Sequence, residues 1–171
     1  MCNIGNYQKA SVKNALINIG FSDPGRPNPI ARHAMACPAL PLCRLAMTEA
    51  ERFLPELLER LNNQLKRLGI NKSILVRVTG CPNGCARPYM AELALVGSGL
   101  NQYQLWLGGS TNLKRLATPY LQKMSINELE KTLEPLFLSW KNTGTSSSLG
   151  DHVTKLGTEN VMSLLTSNAA P

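Results

Sequence analysis

Apolar residues fall at helical spacing in three stretches of the chain. Between Asn6 and Ile19, the residues Val12, Ala15, Leu16 and Ile19 recur three or four apart, and Gly20 stands where a helix would stop. After Thr48-Glu49-Ala50-Glu51, which has the form of a capping box, Leu54, Leu57, Leu58, Leu61, Leu65 and Leu68 mark one face before Gly69. Pro55 lies seven residues past that cap, where it would remove a helical hydrogen bond. The spacing therefore predicts either a bent helix or an N-cap later than Thr48. The third helix is announced by Ser125-Ile126-Asn127-Glu128 and carries Leu129, Leu133, Leu136, Phe137 and Trp140 on its face.

Other apolar runs are short and rich in β-branched residues. Ser73 to Thr79 reads as a strand ending at Gly80. Ala91 to Val96 and Tyr103 to Leu107 read as two more, joined through Ser98-Gly99-Leu100-Asn101 as a hairpin. Ser22 to Pro29 is dense in turn formers and reads as a connecting loop. Helices and strands mix without a strict βαβ rhythm, so the fold class expected is α+β, a mixed β-sheet flanked by helices. One unit spanning residues 1–142 is expected. Residues 143–171, opening on Thr143-Gly144-Thr145-Ser146-Ser147-Ser148, are expected to form a polar, weakly ordered tail.

Composition narrows the choice of function. A chain of 171 residues with 43% apolar content can build one ordinary core. No run of eighteen apolar residues suggests a membrane span, and the first residues lack the features of a signal or transit peptide. Net charge is +7, which favours an acidic partner or anionic ligands. Nucleic acid is not expected, because the basic residues are scattered and no aromatic-rich basic run accompanies them.

Four of the five cysteines carry the chemistry. Cys37 and Cys43 bound C-P-A-L-P-L-C, and Cys81 and Cys85 bound C-P-N-G-C. An odd cysteine count and the absence of a signal peptide speak against a disulfide framework. Structural zinc usually takes cysteine pairs two to four apart, whereas iron–sulfur clusters are held by four thiolates, often with a Cys-Pro step. An iron–sulfur cluster is the leading reading, ahead of zinc, two disulfides or four unrelated thiols. Gly84 lets the backbone come close to an inorganic core, Pro82 stiffens the turn, and Asn83 offers a side-chain amide to a cofactor. Cys2 reads as a small apolar residue, and His33 and His152 as uninvolved. Arg44 and Arg87 either balance thiolate charge or reach a cofactor carboxylate, or are plain surface charge. Trp106 and Trp140 read as packing residues.

The runs Ala36-Cys37-Pro38, Leu45-Ala46-Met47-Thr48-Glu49-Ala50-Glu51-Arg52-Phe53 and Val78 through Pro88, followed by Ala91-Glu92-Leu93 and Leu107-Gly108-Gly109, resemble the C-terminal part of sulfite reductase, in particular its ferredoxin-dependent forms. The resemblance spans about residues 1–142. It implies that Cys37, Cys43, Cys81 and Cys85 hold a 4Fe-4S cluster and that Cys85 also bridges to the iron of a siroheme. It further implies ferredoxin as electron donor, sulfite as the substrate reduced to sulfide, no membrane, and a bacterial cytoplasm or plastid stroma. Related nitrite reductases usually read Cys-Pro-Asn-Ser-Cys-Gly in the second loop, so Gly84 and Ala86-Arg87-Pro88 favour sulfite. Alternatives are a nitrite reductase fragment or an iron–sulfur electron-transfer module without siroheme. Members of the family run to several hundred residues, so Met1 is expected to be an internal or truncated start. The Arg/Lys groups that bind the anion are expected in the preceding N-terminal part, which leaves the catalytic residues unknown.

Overall fold

The computed structural model describes residues 3–21, 28–143 and 147–167. Five strands form one mixed sheet in the order β1-β2-β3-β4-β5, with β1 at Met35–Ala36, β2 at Val76–Thr79, β3 at Leu93–Gly99, β4 at Gln102–Leu107 and β5 at Thr118–Ser125. β1, β2 and β3 run parallel, and β3, β4 and β5 form an antiparallel meander. Five α-helices accompany it among the described residues: α1 at Lys9–Asn18, α2 at Leu54–Arg67, α3 at Leu129–Asn142, α4 at Leu149–Leu156 and α5 at Thr158–Thr166. The α+β mixed sheet expected from the sequence is the architecture observed.

Strand alternation divides the sheet into two faces. Val76, Val78, Leu93, Leu95, Tyr103, Leu105 and Leu107 join the main apolar cluster with Leu57, Leu61 and Leu65 of α2 and Leu129, Leu133, Leu136, Phe137 and Trp140 of α3. All five residues predicted for the face of α3 are buried there. Arg77, Thr79, Ala94, Val96 and Trp106 alternate with the first set, and the segment after the second cysteine loop covers them: Tyr89 meets the Trp106 ring edge-on at 4.6 Å. Trp106 thus packs on the loop side of the sheet rather than in the helical core, while Trp140 is fully buried as expected.

Pro55 explains where α2 begins. The helix starts at Leu54 with Pro55 in its first turn, where the missing N–H has no helical partner to lose. Thr48 does not cap it. Thr48 is buried and its hydroxyl bridges Tyr103 Oη, at 3.3 Å, and the Asn101 N–H, at 3.2 Å, so the capping-box tetrapeptide serves the sheet instead. α2 and α3 are joined by Arg60, whose guanidinium binds Glu130 in bidentate fashion and the Ile126 carbonyl, and by Gln64 Nε2 donating to the Glu130 carbonyl at 2.7 Å. β5, β1 and the early part of α1 lack the strong periodicity of the other elements. α1 buries no residue; Val12 and Leu16 are half-buried and Ala15 and Ile19 are exposed.

The weakly ordered tail expected over residues 143–171 is corrected by the structure for residues 147–167, while 144–146 and 168–171 lie outside the described residues. α4 and α5 bury Leu149, Val153, Val161 and Leu165 in the same core, and Gly150 lies so close to Gly109 that a Cβ would sit 1.8 Å from its carbonyl oxygen. The polar run masks this because its anchor is supplied from elsewhere. Glu92, buried in the turn before β3, accepts from the Gly150 N–H at 3.1 Å and from the Leu75 N–H at 2.9 Å, so its carboxylate caps the start of α4 and also ties down the chain entering β2. His152 is likewise buried, in a packing role: it meets Ser139 at 3.2 Å and Thr143 at 3.1 Å, pinning α4 to the end of α3. Cys2 and most of the Ser22–Pro29 loop lie outside the described residues.

Burial, and secondarily the charge of Lys155, hold the His152 imidazole below its ordinary pKa. A base whose folded pKa is depressed binds fewer protons folded than unfolded below pH ~6.5. Stability is therefore expected to be full above pH ~6.5 and to fall as pH drops toward the folded pKa. Thermal unfolding followed between pH 5 and 8 should show this loss, and His152→Gln should flatten that part of the profile. An unchanged profile in the variant would show that another group sets it.

Candidate metal centre

Parallel pairing places the two cysteine loops side by side. Ala36 pairs with Val78, so Cys37 leaves β1 and Cys81 leaves β2 at the same end of the sheet, on strands about 4.8 Å apart. The Cys37 N–H still donates to the Val78 carbonyl at 3.2 Å. One residue past β2, the Gly80 N–H donates to Cys37 Sγ at 3.3 Å. That amide offers partial positive charge to a thiolate in the first loop from the root of the second.

Two glycines allow this closeness. A Cβ on Gly80 would lie 2.6 Å from Ala39 Cβ and 2.7 Å from the Thr48 carbonyl oxygen. A Cβ on Gly97 of β3 would lie 2.3 Å from the Gly80 carbonyl oxygen. The Gly80 carbonyl, seated against Gly97, in turn accepts from the Met47 N–H at 2.8 Å and the Thr48 N–H at 3.3 Å. Both sides of the first loop are thereby fastened to the peptide that precedes Cys81.

Each loop is also shaped internally. In the first, the Cys43 N–H donates to the Ala39 carbonyl at 2.7 Å, and Ala39 adopts a left-handed φ of 50°. In the second, Tyr89 folds back over the turn: its hydroxyl donates to the Pro82 carbonyl at 2.7 Å, and its ring lies where a Gly84 Cβ would come within 2.8 Å. Gly84 has a φ of +69°, so both its backbone and its missing side chain suit the turn. Burial first, and then the nearby Cys81, raise the Tyr89 pKa above its ordinary value, which keeps the phenol a donor.

Cys37 and Cys81 are 9% and 7% exposed, Cys43 is half-buried and Cys85 is exposed; none of the four is paired in a disulfide. Asn83 is exposed at the tip of the second loop, and Arg44 and Arg87 are exposed beside the loops. His33 is exposed and lines a separate cavity of about 320 Å³ with Ser73, Leu75, Glu92 and Thr111. Among the described residues no three His, Cys, Asp or Glu side chains gather closely enough to hold a single metal ion. A four-iron cluster makes a different demand, since its thiolates surround a polyatomic core. The thiol donors, the amide on Cys37 Sγ and the glycine-lined meeting of the loops fit such a core.

Sequence reasoning missed Gly97, Tyr89 and Arg77. Gly97 had a signal, since a glycine inside a strand marks close backbone approach. Arg77 had one too, as a charge in the middle of the apolar run Ile74-Leu75-Val76-Arg77-Val78. Tyr89 had none, because its role depends on the fold of the loop five to seven residues back.

Residues 29–170 match the family described as the nitrite and sulphite reductase 4Fe-4S domain. The chain is 52% identical over 130 residues to the "Sulfite reductase [ferredoxin]" of Synechococcus elongatus, covering 75% of this chain and 21% of that protein. It is 47% identical over 131 residues to the "Sulfite reductase [NADPH] hemoprotein beta-component" of Xylella fastidiosa, covering 75% of this chain and 23% of the relative. The chain thus spans about a fifth to a quarter of these relatives' length. The Mycobacterium tuberculosis NirA protein superposes with a TM-score of 0.72 at 22% identity, over 93% of this chain and 31% of that one. The dissimilatory sulfite reductase DsrI superposes with a TM-score of 0.69 at 10% identity, over 98% and 59%. These two similarities bear on the fold alone. Among the described residues no helix is long and apolar enough to cross a membrane.

Gly97→Ala is expected to destabilise the chain by about 1–3 kcal/mol, because the added methyl meets backbone that cannot swing away. Chemical denaturation measures the loss. Gly157→Ala is the control, since a Cβ there meets nothing within 4 Å although its φ of +79° carries a strain of its own. Equal losses in the two variants would show that the close approach at Gly97 carries no special cost.

Proposed function

The chain belongs to the nitrite and sulphite reductase 4Fe-4S domain family, and on that premise we propose that it is the cluster-bearing C-terminal part of a sulfite reductase. Cys37, Cys43, Cys81 and Cys85 are the thiolates that hold the cluster in this reading, with Cys85 shared with the iron of a siroheme. The whole protein then passes electrons from ferredoxin to sulfite, and the cluster and siroheme together supply the electron transfer that carries sulfite to sulfide. A compartment that keeps thiols reduced, bacterial cytoplasm or plastid stroma, suits the four free thiols.

The meeting of the loops at Gly80 carries the proposal. Its N–H touches Cys37 Sγ while its own chain neighbour is Cys81, so thiols forty-four positions apart in sequence share one small region. The gradient of exposure adds support. Cys37 and Cys81 face packed protein, whereas Cys85 is open and able to meet a second, larger group. Ferredoxin as donor rests on the Synechococcus relative's name, and a net charge of +7 suits an acidic protein partner. Gly84 followed by Ala86-Arg87-Pro88 supports sulfite over nitrite, by the same likeness drawn from the sequence.

Anaerobic loading of the chain with ferrous iron and sulfide should give broad visible absorbance and a cluster stoichiometry of iron and sulfide. Cys37→Ala, Cys43→Ala and Cys81→Ala should each abolish it. Added siroheme should then shift its own bands only with loaded protein. Full loading of the three variants would remove the ligand assignment. Loading without any response to siroheme would reduce the function to an iron–sulfur electron-transfer module.

A further inference from the structure

Among the described residues, Arg77 is a buried cation paired with no carboxylate. It occupies the centre of β2, between Met35 of β1 and Ala94 of β3, and only 5% of its surface is exposed. Strand alternation turns it away from the helical core, on the face it shares with Thr79. Its Nη1 donates to the Arg87 carbonyl at 3.0 Å, and the Arg87 N–H donates to the Gly84 carbonyl at 2.8 Å, so the guanidinium reaches the turn that closes the Cys81–Cys85 loop. Its Nε is buried without a partner, and so is the Thr79 hydroxyl. Among the described residues no carboxylate pairs with Arg77, and the charge that acts on it, Arg87, is of the same sign.

A lone buried charge costs stability unless something compensates it. Holding the Arg87 carbonyl does not require a charge, since a neutral donor would serve. It also leaves Nε and the Thr79 hydroxyl unused. What both atoms suit is negative charge on the loop side of the sheet, and four thiolates around an iron–sulfur core supply it.

We propose that Arg77, seconded by Thr79, is a positioning residue that supplies the fixed positive charge opposite the thiolate-ligated cluster and thereby raises the potential at which that cluster accepts an electron. This rests on the cluster assignment above. The one-electron reduction makes and breaks no bond; it adds negative charge to the centre, and a nearby fixed cation favours the reduced state.

The test uses the 171-residue chain loaded anaerobically with iron and sulfide, compared with Arg77→Gln, which keeps a donor for the Arg87 carbonyl without charge, and Arg77→Lys, which keeps the charge. Optical redox titration should show Arg77→Gln shifted negative by at least 59 mV, a tenfold change in the oxidised-to-reduced ratio at a given potential. Arg77→Lys should stay nearer the wild-type potential. Circular dichroism and thermal unfolding of the iron-free chains give the second measurement: Arg77→Gln should fold and be at least as stable as wild type, because an uncompensated charge has gone, and should gain less stability than wild type on loading. Failure of a well-folded Arg77→Gln to load supports the proposal if Arg77→Lys loads normally, because charge alone then separates the two; failure of both would overturn it. Equal potentials in all three proteins, or an iron-free Arg77→Gln that does not fold, would overturn it and leave Arg77 as a support for the loop. If the wild-type chain itself takes up no cluster, the cluster assignment falls and this inference falls with it.

Discussion

Everything at the candidate centre depends on how closely three backbone segments approach at Gly80. β3 presses on the Gly80 carbonyl through Gly97, the first cysteine loop presses on its Cα through Ala39, and the segment 46–48 closes the third side through Thr48 and Ala46. Removing two side chains here replaces flexible contacts with backbone packed against backbone. The protein interior tolerates small volume errors poorly, so such a junction has few alternative arrangements. The thiols inherit that definition because each loop begins within a residue or two of the junction.

The junction also explains the choice of a mixed sheet. Two cysteine loops that must meet need to leave the sheet at the same end, and parallel neighbours do that by construction, since their carboxyl ends coincide. The stretch between Cys43 and β2, which contains α2, is the crossover that parallel pairing requires. The antiparallel β3, β4 and β5 meander then builds out the sheet on the far side, where no further loop has to reach the centre. Its contribution is a platform: Trp106 of β4 supports Tyr89, and Tyr89 holds the Pro82 carbonyl and covers Gly84.

Electrostatics follows the same division into two faces. On the helical face Arg60 is bound to Glu130 across elements, and ahead of β3 the Glu92 carboxylate is closed over two backbone amides. Hydrogen bonding to Arg60 lowers the Glu130 pKa, as expected for a carboxylate held in a satisfied pair. On the loop face Nε of Arg77 and the hydroxyl of Thr79 stay unsatisfied, while Arg77 Nη1 holds the Arg87 carbonyl.

The chain alone determined the parts that rest on local pattern. The face of α3 from Leu129 to Trp140, the hairpin of β3 and β4, the mixed α+β class and the four thiols in two proline- and glycine-shaped loops are all written in spacing over a few residues. Tertiary structure decided what depends on partners distant in sequence. Residues 149–166 form two packed helices because Glu92, fifty-eight positions before Gly150, caps α4, and because His152 finds Ser139 and Thr143. Thr48 left its apparent capping role for Tyr103, and Pro55 took the first turn of α2 instead of bending it. Periodicity reports which side of an element is apolar, but a hydrogen-bond partner or a glycine's neighbour exists only once the elements have been brought together.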